Sequence, residues 1–305
     1  MLAVFFALVP TFLLIAAGYG LRRIRVFDGP FWIGVDRLFY FVLFPVLLAR
    51  TCANARLGGL ELGPLAGALL VGAGVVAASL VAGRRLVAAD GPGFTSVFQG
   101  VTRFNSVVGV GIAQALYGAQ GLAVFGLCMA VMIPVLNVWC VAVLARYAAP
   151  GRVPTAWQQA RAIARNPLIL GCLAGFALNV TGIGLPGPLD PAAKTMADAA
   201  VALGLLAAGA GLDLRAIGGG GRAVAIALAG RLLVMPVAVW LMCRLFGVDG
   251  LTREIAVLWA AMPTAPASYT LARQMGGDAR LMATIITLMT LAAALTMPLM
   301  LALLA

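Results

Sequence analysis

Ten apolar runs, each close to the length of one bilayer crossing, follow one another along this chain with little between them. They fall at 2–21, 35–53, 62–82, 94–117, 121–144, 167–185, 195–212, 222–245, 254–275 and 280–303. A helix needs ~20 mostly apolar residues to cross the hydrocarbon of a membrane. Lipid offers no partner to an unpaired backbone amide, so runs of this kind fold as helices. The pattern therefore predicts an all-α membrane protein of ten transmembrane helices. Composition agrees: the 305 residues are 63% hydrophobic and 10% charged, whereas soluble domains run nearer ~25% charged. No stretch is long or polar enough for a separate soluble domain.

The charges sit between the runs. The net charge of +11 does not mark a nucleic-acid surface, because the arginines form short caps and no basic face. Loops after odd-numbered runs hold Arg22, Arg23, Arg25, Arg84, Arg85, Arg146, Arg152, Arg161, Arg165, Arg215, Arg222, Arg273 and Arg280. Loops after even-numbered runs hold only Arg50, Arg56, Lys194, Arg244 and Arg253. Lys and Arg concentrate on the cytoplasmic side, so both termini are expected outside and the central loop in the cytoplasm. The cluster at Arg22, Arg23 and Arg25 follows its apolar run, the wrong order for a cleavable signal.

Chemistry-bearing residues are scarce. There is no histidine, which removes the commonest general base and metal ligand. Cys52, Cys128, Cys140, Cys172 and Cys243 show no metal or redox spacing and read as small apolar residues. The paired aspartates of a prenyltransferase and the dyads of intramembrane proteases are missing, and Ser106 and Ser268 have no histidine to activate them. We expect no enzyme, no metal and no cofactor. A channel would want a symmetric filter or charged ring, and a non-transporting receptor or structural module stands as a further alternative.

The longest polar stretch, Arg146 to Asn166, parts a first half at 1–145 from a second at 167–305, with 146–166 as the connecting cytoplasmic loop. Five crossings per half is odd, so a second half repeating the first must insert upside down, as in many secondary transporters. "AQALYGAQGLA" (113–123) aligns with "LARQMGGDARL" (271–281) at a shift of 158, superposing Gly118 on Gly276. The fourth and fifth runs are parted only by Gly118, Ala119, Gln120 and Gly121, which forces a tight reversal.

That shift sets Asn105 opposite Pro263 and Ser106 opposite Thr264. The fourth run carries Asn105, Ser106, Gly109 and Gly111 at mid-membrane depth, and the ninth carries Pro263 and Pro266 around Thr264 and Ala265. Each proline removes a donor and clashes with the turn before it, so the ninth run is expected to break; in the fourth, Asn105 and the glycines would have to make the matching break. Paired breaks at matching places point to a transport site, and their freed helix N-termini favour an anion. Pro10, Pro45, Pro134, Pro236 and Pro298 read as ordinary kinks.

The segments "RFNSVVGVGIAQALYG" and "MPTAPASYTLARQMGGD", with "FPVLLA" in the second run and "RLLVMP" in the eighth, resemble the auxin efflux carrier family in its compact bacterial form. That family is similar in fold to the bile acid–sodium symporters. The resemblance spans nearly the whole chain. It implies two inverted five-helix repeats with crossing fourth and ninth helices. Helices 1, 2, 6 and 7 would form a scaffold, and helices 3–5 and 8–10 an elevator-type transport part. It also implies a small carboxylate substrate such as malonate or an auxin-like acid, a bacterial inner-membrane location and a homodimer. Asn105 looks like the family's polar crossover residue, and Pro263 and Pro266 like its ninth-helix breakers. The fourth run here lacks the matching proline. The long cytoplasmic loop of plant members is absent too. A sodium-coupled, bile acid-like symporter is the alternative.

Two arginines, Arg103 and Arg231, lie deep in their runs. A mid-membrane arginine costs at least ~2.5–3.5 kcal/mol on insertion scales and normally has a partner and a purpose. Arg103, and after it Arg231, is a candidate for holding a carboxylate; binding freed carbonyls is the structural alternative. The predicted substrate site is Arg103, Asn105, Ser106, Gly109, Pro263, Thr264, Pro266 and Ser268. Asp36, Asp198 and Asp213 sit near run ends, so no deep proton carrier stands out beyond the weak candidates Asp36 and Asp198. The coupling ion, sodium or proton, stays open. Small residues at 202–211 permit close helix approach, serving either a sliding face or a dimer contact.

Overall fold

The computed structural model describes residues 2–54, 62–87, 90–148, 164–214 and 221–304, with Thr155, Trp157 and Arg161. Arg56, Arg152, Arg215 and most of the 146–166 connection lie outside the described residues. Every regular element among those described is helical. In chain order they are α1 (Leu2–Arg23), α2 (Gly29–Ala53), α3 (Leu62–Ala82), α4 (Gly91–Thr102), α5 (Ser106–Tyr147), α6 (Pro167–Val180), α7 (Leu189–Ala210), α8 (Gly221–Leu245), α9 (Gly250–Ala261), α10 (Ala267–Met275) and α11 (Ala279–Leu304). A single turn, Arg84–Val87, follows α3.

Among the described residues six spans are long and apolar enough to cross a membrane: α2, α3, the stretch Gly91–Tyr147, α7, α8 and α11. Large apolar side chains such as Leu13, Phe41 and Leu295 face outward at 62–72% exposure. Water would penalise that surface and lipid does not. The chain is a multi-pass membrane protein.

Sequence locates the helices well and their ends less well. The second apolar run begins at residue 35, yet α2 begins at Gly29 because Asp28 caps it, its carboxylate accepting from Phe31 N at 2.9 Å, with Pro30 in the first turn. Pro45 and Pro236 each sit just after a π turn, Phe39–Leu43 and Gly230–Val234. There Phe44 N bonds back to Phe39 O, and Met235 N to Gly230 O. The wider turn accommodates the ring that would clash with a regular helix.

The reversal after the fourth run turns on one residue. Gly118 has φ 60° and ψ −152° inside α5, a conformation essentially reserved for glycine. Residues 119–147 then run back along α4 and 106–117. Gly109 has no side chain, and the Phe125 ring fills the space a Cβ would need. In a straight helix those two residues would stand ~24 Å apart, at 1.5 Å per residue. Further along, the Phe104 and Phe125 rings meet at 6.3 Å, Thr102 Oγ1 lies 3.6 Å from Cys140 Sγ, and Phe94 packs on Tyr147 at 5.3 Å. Gly276, which the sequence aligned with Gly118, also has positive φ, 77°, and caps α10.

The helices pack in two sets. α1 lies against α7, and α2 against α6 and α7. In the second set α3 packs on the later half of α8, α9 on α5, α8 and α11, and α4 on α5, α11 and the first part of α8. α5 is the main link, touching α1, α2 and α7. Glycines on α7 set the closeness: a Cβ at Gly209 would overlap the Ile15 carbonyl, and one at Gly204 would strike Phe39 and Val107. The small-residue stripe is thus occupied by α1, α2 and α5 of the same chain.

Candidate functional site at the crossing of two broken helices

Both expected breaks are present, and they touch. α4 ends at Thr102 and α5 begins at Ser106, with Arg103, Phe104 and Asn105 between the two helices. α9 ends at Ala261 and α10 begins at Ala267, with Met262, Pro263, Thr264, Ala265 and Pro266 between. Asn105 N donates to Pro263 O at 2.7 Å, so the two interruptions are joined main chain to main chain.

Asn105 replaces the missing proline as a breaker. Its backbone is extended (φ −85°, ψ 97°), and its Oδ1 accepts from Val107 N at 3.1 Å and Val108 N at 3.3 Å. That is an N-cap, in which a side-chain oxygen satisfies amides the helix start leaves unpaired. On the other strand of the crossing, Pro263 supplies no donor and Thr264 uses two: its N–H meets Met289 Sδ at 3.3 Å and its hydroxyl donates to Gln99 O at 3.3 Å. Thr264 Oγ1 also lies 3.5 Å from Ser268 Oγ. Asn105, Thr264 and Ser268 are buried, Ser106 is half-buried, and Pro266 is exposed.

The remaining predicted residues have other neighbours. Arg103, half-buried, donates from Nη1 to Asn137 Oδ1 of the returning part of α5 at 3.0 Å. Gly109 is packed under Phe125. Arg231, 0% exposed, donates from Nε to Met262 O and from Nη2 to Trp259 O, both at 2.7 Å. Its Nη1 reaches Val101 O and Thr102 O, each at 3.4 Å. Its guanidinium also lies over the Trp259 ring, 5.2 Å from the centroid. Here the carbonyl-binding alternative describes Arg231.

One large cavity, about 810 Å³, opens beside the second break. Pro266, Tyr269 and Thr270 of α10 form one wall and Ile286 and Thr287 of α11 another. Tyr19, Arg22, Arg23 and Arg25 at the end of α1 and residues 211–214 after α7 close it from the other set of helices. Arg23 Nε donates to Tyr19 OH at 3.0 Å, and Arg22 Nη1 donates to Ala210 O. Arg25 has φ 56°, the one non-glycine residue with positive φ among those described. Three arginines against Asp213 give the wall an excess of positive charge.

In the sequence those arginines mark topology and not this cavity, because its wall comes from four separate elements. The signal was the tight spacing of Arg22, Arg23 and Arg25. Asn137, the polar partner of Arg103, was visible as an amide inside an apolar run.

Compared with known families, the chain matches the model described as Membrane transport protein over residues 155–301. No curated protein matches it. The matched span contains α6 to α10 and α11 up to residue 301, and with them the second break, Arg231 and most of the cavity wall.

Proposed function

We propose that this chain, an auxin efflux carrier-type membrane transport protein, carries a small organic anion, a carboxylate of malonate or auxin-like size, past the crossing of its broken helices. The observation that carries this reading is the arginine-walled cavity that ends at Pro266. A cavity lined by one sign of charge concentrates ligands of the other sign. Its outer wall supplies the guanidinium groups of Arg22, Arg23 and Arg25. Its inner wall supplies Tyr269 and Thr270, and leads to the start of α10, where the positive end of a helix dipole favours a carboxylate.

At the crossing, Asn105, Ser106, Thr264 and Ser268 are the polar contacts, and Pro263 and Pro266 keep the second break open. Arg103, held by Asn137, adds positive charge to the same crossing. Gly109 serves by admitting the Phe125 ring, which fixes the returning part of α5. Losing one hydrogen bond to bound substrate costs about 1–3 kcal/mol.

The packing supports alternating access by relative movement of the two sets. α1, α2, α6 and α7 would be the scaffold. α3–α5 and α8–α11 would be the part that carries the site, an elevator arrangement of two inverted repeats. The equivalent breaks and the matching positive-φ glycines at 118 and 276 support the repeat. Positive-inside charge supports a cavity on the cytoplasmic side of a bacterial inner membrane, with both termini outside.

The test is uptake of labelled malonate and related acids into proteoliposomes, with Arg23→Gln and Arg25→Gln beside the parent. Saturable uptake is expected, weakened about tenfold or more in the double variant, with a steeper salt dependence in the parent, since exposed charges are screened by salt. Uptake untouched by the double variant would remove the cavity from the mechanism. A folded protein that moves no acid would overturn the anion reading.

A further inference from the structure

Four main-chain carbonyl oxygens converge on one buried cation. Two, from Trp259 and Met262, close the end of α9, and two, from Val101 and Thr102, close the end of α4. The last carbonyls of a helix have no intrahelical donor, and they form the negative pole of its dipole. Here two such poles point at the same spot, in an interior from which water is excluded. Unbalanced, they repel each other across the crossing. A cluster of main-chain carbonyl oxygens is also the kind of ligand set that binds a hard metal cation.

Arg231 fills that spot. It reaches in from the π turn Gly230–Val234 of α8, and its fork of N–H groups serves both helix ends at once. Among the described residues no carboxylate forms an ion pair with it; the ion pairs lie at Arg50–Asp190, Lys194–Asp198 and Arg253–Asp249. Its counter-charge is the pair of helix ends. Unlike a dissolved ion, this cation is tied to the chain by covalent bonds. It cannot be picked up on one side of the membrane and released on the other, so it cannot pass the energy of an ion gradient to the substrate.

We infer that Arg231 is a resident cation standing where a coupling sodium ion would otherwise sit at the crossing, so that transport by this chain draws on no sodium there. The inference rests on the carrier reading above and concerns its energetics. The test has a readout independent of transport. A cation that binds the native state raises its melting temperature.

The parent and Arg231→Lys, in detergent, are expected to melt at the same temperature in sodium chloride and in choline chloride of equal ionic strength. Arg231→Ser, which frees the carbonyls, is expected to melt lower in choline and to be raised by sodium. In proteoliposomes a coupled cation would change apparent affinity by about 5–150-fold, whereas the parent's uptake should stay within about twofold when choline replaces sodium. A sodium-dependent melting shift or uptake in the parent overturns the inference. So does a folded Arg231→Ser protein indifferent to sodium. If Arg231→Ser does not fold, the parent and Arg231→Lys still decide. Absence of any acid uptake would strike at the carrier reading and leave the melting comparison standing.

Discussion

Asn105 starts α5 with a single side chain, three residues after α4 ends. Its amide oxygen takes two N–H groups of α5, and its own N–H leaves the helix to meet Pro263 O. Removing a good N-cap costs about 1–2 kcal/mol. Asn105→Ala should therefore lower the thermal midpoint in detergent, and Asn105→Ser, which keeps a capping oxygen, should recover most of it. Equal losses in the two variants would show that capping is not what the residue contributes. The same substitution is expected to weaken substrate affinity by several-fold or more, read as a rise in the half-saturating concentration.

At the scale of single elements, the joint between the fourth and fifth runs depends on Gly118. Its φ and ψ belong to a region that costs a residue with a side chain about 1–3 kcal/mol, although no neighbour stands within 4 Å of where a Cβ would be. Gly118→Ala is thus expected to destabilise through the backbone alone. Gly276 is left-handed but in the region that asparagine tolerates (φ 77°, ψ 19°), so Gly276→Asn should cost less. Comparable midpoints for the two would contradict this account. The helices and the second break were legible in the sequence, since apolar length and paired prolines act locally. The first break was legible only through Asn105, a capping residue in an apolar run. Where α2 begins was missed because the cap and proline that start it precede the apolar pattern.

On the scale of the whole molecule, position can be read by chemical access. All five native cysteines are buried, so an introduced thiol will report with little background. Thr270→Cys, in the cavity wall, should react with a membrane-impermeant thiol reagent from the cytoplasmic face, and bound carboxylate should slow it. Reaction only from outside would reverse the assigned orientation. The partners of Arg103 and Arg231 could not be read from sequence, because one is an amide 34 positions away and the others are main-chain carbonyls. Main-chain acceptors have no letter in a sequence, and a cavity built from four elements has no motif.

The bond from Asn105 N to Pro263 O has a bearing on how freely this site can vary. Both of its atoms belong to the peptide backbone, so side-chain replacement at either position leaves donor and acceptor in place. Only an imino acid at 105 deletes the donor. Sequences can therefore drift around the crossing, trading hydroxyls, amides and apolar groups to suit different cargoes, while the knot between the two halves persists. Asn105→Pro should accordingly be far more damaging than Asn105→Ala, by loss of folded protein in the membrane. Indifference between them would mean that the two halves are held together elsewhere.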